Sequence, residues 1–96
     1  MYGIIGKLIA KDDKRDELIA ILIDGTGDMP GCLSYVVARD IAEENALWIT
    51  EVWEDRDRHT ASLSLDAVQK AIAKGKPLIA GFGERFETEP VANRCS

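Results

Sequence analysis

The chain has 96 residues, enough for one domain around one hydrophobic core. Its 12 lysines and arginines against 17 aspartates and glutamates give a net charge of −5, so we expect no nucleic-acid partner and no membrane partner. Hydrophobic residues make up 46% of the chain, too many for a disordered acidic segment. Two cysteines, Cys32 and Cys95, are too few for a disulfide framework, and the first residues do not resemble a secretion signal. We therefore expect a cytoplasmic protein.

The first half of the chain predicts three strands and one helix. Asp12 and Asp13 can cap the helix, whose apolar residues recur at helical spacing before Gly25 and Gly27 end it. A turn is expected after the helix at residues 28–31, because that segment contains Pro and Gly. The three strands are expected at residues 3–10, 32–39 and 46–54.

The second half predicts one continuous helix and a last strand. The helix is expected from about Asp57, Gly75 suits its C-terminal cap, and Pro77 prevents simple continuation. The last strand is expected at residues 83–88. The apolar stripe of the helix would consist of Ala61, Leu65, Val68 and Ile72.

The order β-α-β-β-α-β is typical of an α+β ferredoxin-like sandwich, with both helices on one face of an antiparallel sheet. We expect a single domain over residues 1–96, with a short tail from about residue 90. In the third strand, Trp53 and Trp48 fall on opposite faces, so both faces carry bulky side chains. Since two helices cover only one face, we expect a homodimer in which the other face meets the sheet of a second copy.

Several short motifs do not fit the sites that they are usually associated with. The glycines of Gly25-Thr26-Gly27 end a helix, whereas a dinucleotide-binding loop opens one. Lys74-Gly75-Lys76-Pro77 has proline where a phosphate-binding loop needs Ser or Thr. One histidine and two distant cysteines give no metal-ligand spacing, so we expect no metal.

One constellation remains as a candidate site. Glu51-x-Trp53 ends the third strand, His59 follows at the start of the second helix, and Pro30-Gly31-Cys32 forms the entry to the second strand. In this order and spacing, the segments resemble the antibiotic biosynthesis monooxygenase (ABM) superfamily, which includes quinol monooxygenases. The resemblance covers nearly the whole chain, and residues 77–84 are also similar to one branch of the superfamily.

The resemblance implies a dimeric α+β barrel in which each subunit holds a pocket between its sheet and its helices. Active members of the superfamily oxygenate quinol or phenolic substrates with O₂ and without a cofactor, so we expect no cofactor here. By the same resemblance, Trp53 is a wall of the substrate pocket and His59 is the candidate catalytic base. Tyr35 or Arg39, which share one face of the second strand, could orient a substrate oxygen.

The chain also departs from the superfamily's patterns. Many members carry the helix histidine three residues later, where this chain has Ser62. The haem-degrading branch uses an asparagine in its first strand, where residues 4–6 here are Ile-Ile-Gly, which argues against haem degradation.

Structural interpretations stand beside the functional ones. His59 lies in a charged segment and could simply be solvated, and Trp53 could be a core residue. For Glu51 we favour a structural ion pair with Arg39 or Arg85 over a catalytic role. At the level of the whole protein, the alternatives to a monooxygenase are a non-catalytic dimeric protein that binds a small molecule, and a stress-related interaction module.

Overall fold

The computed structural model describes residues 1–94, in which a four-stranded antiparallel sheet carries all the helices on one face. The strand order is β2-β3-β1-β4, which confirms the ferredoxin-like α+β fold. None of the described helices is both long enough and apolar enough to cross a membrane. Cys95, in the expected tail, lies outside the described residues. The elements are β1 (Tyr2–Ala10), α1 (Arg15–Gly25), β2 (Cys32–Arg39), β3 (Ala46–Trp53), α2 (Arg56–Ser62), α3 (Asp66–Gly75), a 3₁₀ helix (Lys76–Leu78) and β4 (Ile79–Thr88).

The pairing register separates the side chains of the sheet into two sets. Glu51 of β3 lies opposite Ile4 of β1 and Tyr35 of β2, so these three side chains share the face that the helices cover. The centre of the core lies on that face, where Leu18 of α1 packs on Leu47 of β3. The opposite face, which we call the outer face, includes Ile5, Lys7, Ile9, Val36, Trp48, Thr50, Val52 and Phe86.

The start of α1 differs from the sequence prediction. The helix begins at Arg15 after Lys14, and no side chain caps it. Asp13 has a φ of 63°, in the left-handed region, within a turn that the Lys14 amide closes onto the Lys11 carbonyl at 3.0 Å. The expectation that Asp12 and Asp13 cap the helix is therefore wrong, because the chain is still turning at these residues.

The expected continuous second helix is also wrong: the chain forms α2 and α3 with a break between them. The amides of residues 63–65 each bond to the carbonyl three residues back, which tightens and ends α2. Leu65 is then extended, with φ −66° and ψ 138°. As a result, Val68 is buried on α3 while Ala61 is exposed on α2, and the predicted apolar stripe is divided between two helices.

The expected turn before β2 is present and supports α2. The Cys32 amide donates to the Met29 carbonyl at 3.1 Å, and Gly31 has a φ of 82°, a conformation that favours glycine. A Cβ at Gly31 would lie 2.7 Å from the Cγ atom of Arg58 on α2. The turn therefore packs directly against the helix that carries His59.

Candidate active site

A cavity of about 140 Å³ lies under α2 and α3, on the helix-covered face of the sheet. We call it the helix chamber. Its wall combines side chains from α1, the following loop, β2, β3 and both later helices. The apolar lining residues are Leu22, Met29, Leu63, Val68, Ala71 and Ile72. The polar lining residues are Thr26, Tyr35, Glu51, His59 and Ser62.

His59 is held at the chamber wall by two aromatic rings. The centroid of its ring lies 5.5 Å from that of Trp53, in an edge-on arrangement, and 5.8 Å from that of Tyr2. The helix itself is fixed at its start, where the Asp55 side chain accepts a hydrogen bond from the Arg58 amide at 2.8 Å. These contacts orient a partly buried imidazole toward the chamber.

Ser62 lies one helical turn after His59 on α2. Both residues line the chamber, because positions three apart share one face of a helix. The Ser62 hydroxyl donates to the His59 carbonyl at 2.6 Å and is buried. His59 and Ser62 therefore present their side chains to one cavity from successive turns of α2.

Glu51 is the most unusual group in the chamber, because it is a carboxyl group set among the apolar residues of β3. The Trp53 indole N–H donates to its Oε1 at 3.0 Å. Burial raises the pKa of Glu51, and the Trp53 hydrogen bond and the nearby His59 and Arg85 offset this rise only in part. Within residues 1–94 Glu51 forms no ion pair, so the expected structural pair with Arg39 or Arg85 is wrong.

Tyr35 lies opposite Glu51 in the β2–β3 pairing and faces the same chamber. Burial raises the pKa of its hydroxyl, and the neighbouring Glu51 charge raises it further. The phenol therefore stays protonated at physiological pH. It can donate a hydrogen bond to an oxygen atom in the chamber.

The four site residues predicted from sequence occupy different places. His59 and Tyr35 line the chamber, and Trp53 is fully buried beside it, where it contacts His59 and Glu51. Arg39 is four residues from Tyr35, about 13 Å along the strand. Its Nε atom donates to Asp16 Oδ1 at 2.8 Å on the protein surface. The structure thus brings together three of the four and leaves Arg39 apart.

The sequence placed Val68 and Ile72 on the apolar stripe of the predicted helix, but it indicated no place in a cavity for any of the apolar lining residues. Met29 reaches the chamber from a loop, Leu22 from α1 and Leu63 from the break between α2 and α3. These positions converge only after the helices pack, so no local pattern marks them. Among residues 1–94, no group of three or more His, Cys, Asp or Glu side chains is arranged to hold a metal ion.

Comparison with known proteins gives a consistent assignment. The family model described as "Antibiotic biosynthesis monooxygenase" matches residues 1–74. A crystal structure from Chloroflexus aurantiacus, whose name assigns it to the antibiotic biosynthesis monooxygenases, is 56% identical. The alignment covers 98% of this chain and 96% of that one, with a TM-score of 0.95.

More distant relatives agree on the fold. A Caulobacter crescentus structure with the same family name has a TM-score of 0.85 at 23% identity, over 95% of this chain and 90% of that one. An uncharacterized Synechocystis protein is 36% identical over 56 residues, which are 55% of this chain. That match spans only 38% of the Synechocystis protein, so the relative is much longer than the shared segment.

Proposed function

Because the chain belongs to the antibiotic biosynthesis monooxygenase family, we propose that it is a cofactor-independent monooxygenase that oxidises a quinol or a phenol with O₂. The observation that carries this proposal is the helix chamber, an apolar cavity with His59, Glu51 and the Tyr35 hydroxyl in its wall. These are the groups that binding and deprotonating a hydroxylated ring require.

The size of the chamber favours a single aromatic ring at the reacting position. Its volume of about 140 Å³ is close to that of an engineered apolar cavity of about 150 Å³ that binds benzene. The six apolar lining residues supply the surface that such a ring would bury.

In the proposed reaction the substrate itself supplies the electrons. His59, as a neutral imidazole, accepts the proton of the substrate hydroxyl, and the resulting anion is a strong enough reductant to react with O₂. One oxygen atom is added to the ring, the ring loses two hydrogen atoms, and the second oxygen atom leaves as water. Atoms and electrons balance with O₂ as the only co-substrate.

Tyr35 is the better candidate for orienting the substrate oxygen. Its protonated hydroxyl lies in the chamber wall, whereas Arg39 would have to leave its ion pair with Asp16 to reach a substrate. Trp53 contributes as a fixed wall: it supports the His59 ring and holds Glu51 by its indole N–H.

The proposal includes a homodimer formed through the outer face. No helix covers this face, and it carries Trp48 with the half-exposed Val36 (50% exposed) and Phe86 (51% exposed). Burying such side chains against a second copy removes apolar surface from water. Sedimentation at micromolar concentration should therefore show a dimer. On the sequence grounds given above, we place this dimer in the cytoplasm.

Oxygen uptake by the purified protein with a panel of hydroquinones tests the proposed activity. We expect uptake that falls at least about 100-fold in His59→Ala, the lower end of the effect of a general base. Thr60→Ala is the matched control, because Thr60 is exposed on the same helix and lines no part of the chamber. Circular dichroism and sedimentation would show that both variants keep the fold and the association state.

Other outcomes would favour the alternatives. Saturable binding of hydroquinones without oxygen uptake would replace the enzyme by a non-catalytic protein that binds a small molecule. If the protein neither binds hydroquinones nor takes up oxygen, the stress-related interaction module is the alternative that remains. Equal uptake by His59→Ala and the parent protein would remove His59 from the mechanism.

A further inference from the structure

A second cavity, of about 240 Å³, lies on the helix-covered side of the sheet, beyond the reach of the helices. We call it the trough. Its residues come from three neighbouring strands; four have large apolar side chains, two are glycines, and the charged side chains are those of Lys7, Glu51, Glu84 and Arg85. The lining residues include Ile4, Gly6 and Leu8 of β1, Ile49 of β3, and Phe82 and Arg85 of β4. Phe82 is 76% exposed, which is unusual for a phenylalanine on this side of the sheet.

From these features we infer that the trough is a second binding compartment of the same site, and that it takes an apolar substituent of the ring bound in the helix chamber. The inference rests on the proposed function. The substrate class is thereby narrowed to phenols or quinols that carry an alkyl chain or a second ring.

The Glu51 side chain lines both the trough and the helix chamber. The trough and the chamber are therefore adjacent and share one wall. Trp53 holds one oxygen of that wall, Oε1, at 3.0 Å. A ligand that occupies both compartments passes directly beside the Glu51 carboxyl group.

Gly6 leaves room for a ligand in the trough. It pairs with Ile49 and Arg85 in the middle of the trough, and a Cβ built at Gly6 would find no atom within 4 Å. The absence of a side chain at this position leaves open space above the strand. A space of about 240 Å³ exceeds the roughly 150 Å³ that benzene occupies in an engineered cavity, so a ring or a short alkyl chain fits.

The trough lies on the face of the sheet opposite the proposed dimer interface. The proposed dimer uses the outer face, whereas the trough lies on the other side of the sheet. The proposed partner subunit would therefore leave the exposed Phe82 side chain uncovered. A small molecule with an apolar substituent is the occupant that matches both the size and the lining of the trough.

Isothermal titration calorimetry under anaerobic conditions, with phenol and 4-propylphenol as probes, tests the inference. Each buried methylene raises affinity about fourfold, so we expect 4-propylphenol to bind about 50-fold more tightly than phenol. A Cβ at Gly6 would meet no atom within 4 Å, so we expect Gly6→Leu to fill part of the trough, and the ratio of the two affinities should fall below about tenfold while phenol binding is retained. Gly27→Leu is the matched control, since Gly27 also has open space around it and lines neither compartment.

Phe82→Ala is a second variant, whose exposed side chain can be removed with little effect on folding. It should lower the affinity ratio as well. Equal affinities of the parent protein for phenol and 4-propylphenol would overturn the inference, and so would an unchanged ratio in Gly6→Leu. Because binding is measured without turnover, these failures leave the proposed activity standing, whereas failure to bind either probe would refute both proposals.

Discussion

Replacing Glu51 with glutamine removes the charge that burial disfavours and keeps an oxygen that can accept the Trp53 hydrogen bond. Burial raises the pKa of Glu51 in the folded protein above the value in the unfolded chain. The folded state then holds the proton more tightly, so its stability falls as pH rises from the unfolded pKa through the folded pKa. The Glu51→Gln variant has no titrating group at this position, so its stability does not fall with pH for this reason.

The structure bounds the size of the effect. A hydrogen bond to a charged group contributes about 1.5–3 kcal/mol, and the Trp53 bond at 3.0 Å favours the ionised carboxylate by an amount of this order. Since the pKa of Glu51 is nevertheless raised, the cost of burying the charge exceeds what this bond returns. The stability of Glu51→Gln relative to the parent protein should therefore rise with pH, with a slope of at most about 1.4 kcal/mol per pH unit.

Urea unfolding, followed by tryptophan fluorescence from about pH 4 to about pH 8, measures this difference. Both proteins should be compared at one concentration, because the proposed dimer would make stability depend on concentration. Other titrating groups largely cancel between the two curves. If the stability difference between Glu51→Gln and the parent protein is constant across this range, or falls as pH rises, then burial does not raise the pKa of Glu51 and the reasoning is refuted.

Three further predictions concern close contacts, a turn and a hydrogen-bond acceptor elsewhere in the fold, and Gly27→Ala serves as the control for the first. Gly25→Ala should destabilise the protein by about 1–3 kcal/mol in urea unfolding, because its Cβ would lie 2.4 Å from a side chain of α3. Gly27→Ala should be close to neutral, and equal effects of the two would contradict the close helix approach. Gly31→Ala should lower stability by roughly 1–2 kcal/mol, because φ is 82° there, and an unchanged Tm would contradict that conformation. Asp40→Asn should destabilise at neutral pH, because hydrogen bonds from the Trp48 indole and two backbone amides lower the pKa of Asp40. This deficit should shrink as pH falls below about 4, and a deficit that stays constant would contradict the assignment.

The strands were more predictable than the helices. The second strand was expected at residues 32–39 and is observed at those residues, because the Pro-Gly turn before it and the polar connection after it mark its ends. The last strand begins at Ile79, before the expected Gly83, because residues 79–82 are all apolar or glycine, so no apolar–polar alternation marks the start of the strand in the sequence. Strand periodicity also placed Glu51 and Trp53 on one face, as observed.

The helix ends and the site depended on contacts that sequence alone does not show. The break between α2 and α3 comes from a tight turn over residues 63–65 in a segment whose apolar spacing fits one helix. Glu51 needed a partner, which the sequence correctly indicated, but its partner is the Trp53 indole two residues away on the same strand face. The positive charges of Arg39 and Arg85 made them the expected partners of Glu51, whereas in the structure the uncharged N–H group of Trp53 donates to its carboxyl group.

The division of the second helix into two pieces makes the position of His59 depend on tertiary contacts. α2 has seven residues, too few to remain helical without contacts to the rest of the protein. It is held by the edge-on and tilted contacts of His59 with Trp53 and Tyr2, and by the turn at Gly31 that packs against Arg58. A substitution that removes these contacts would therefore displace the imidazole from the chamber wall, while the hydrogen bonds of α3 and of the sheet stay in place.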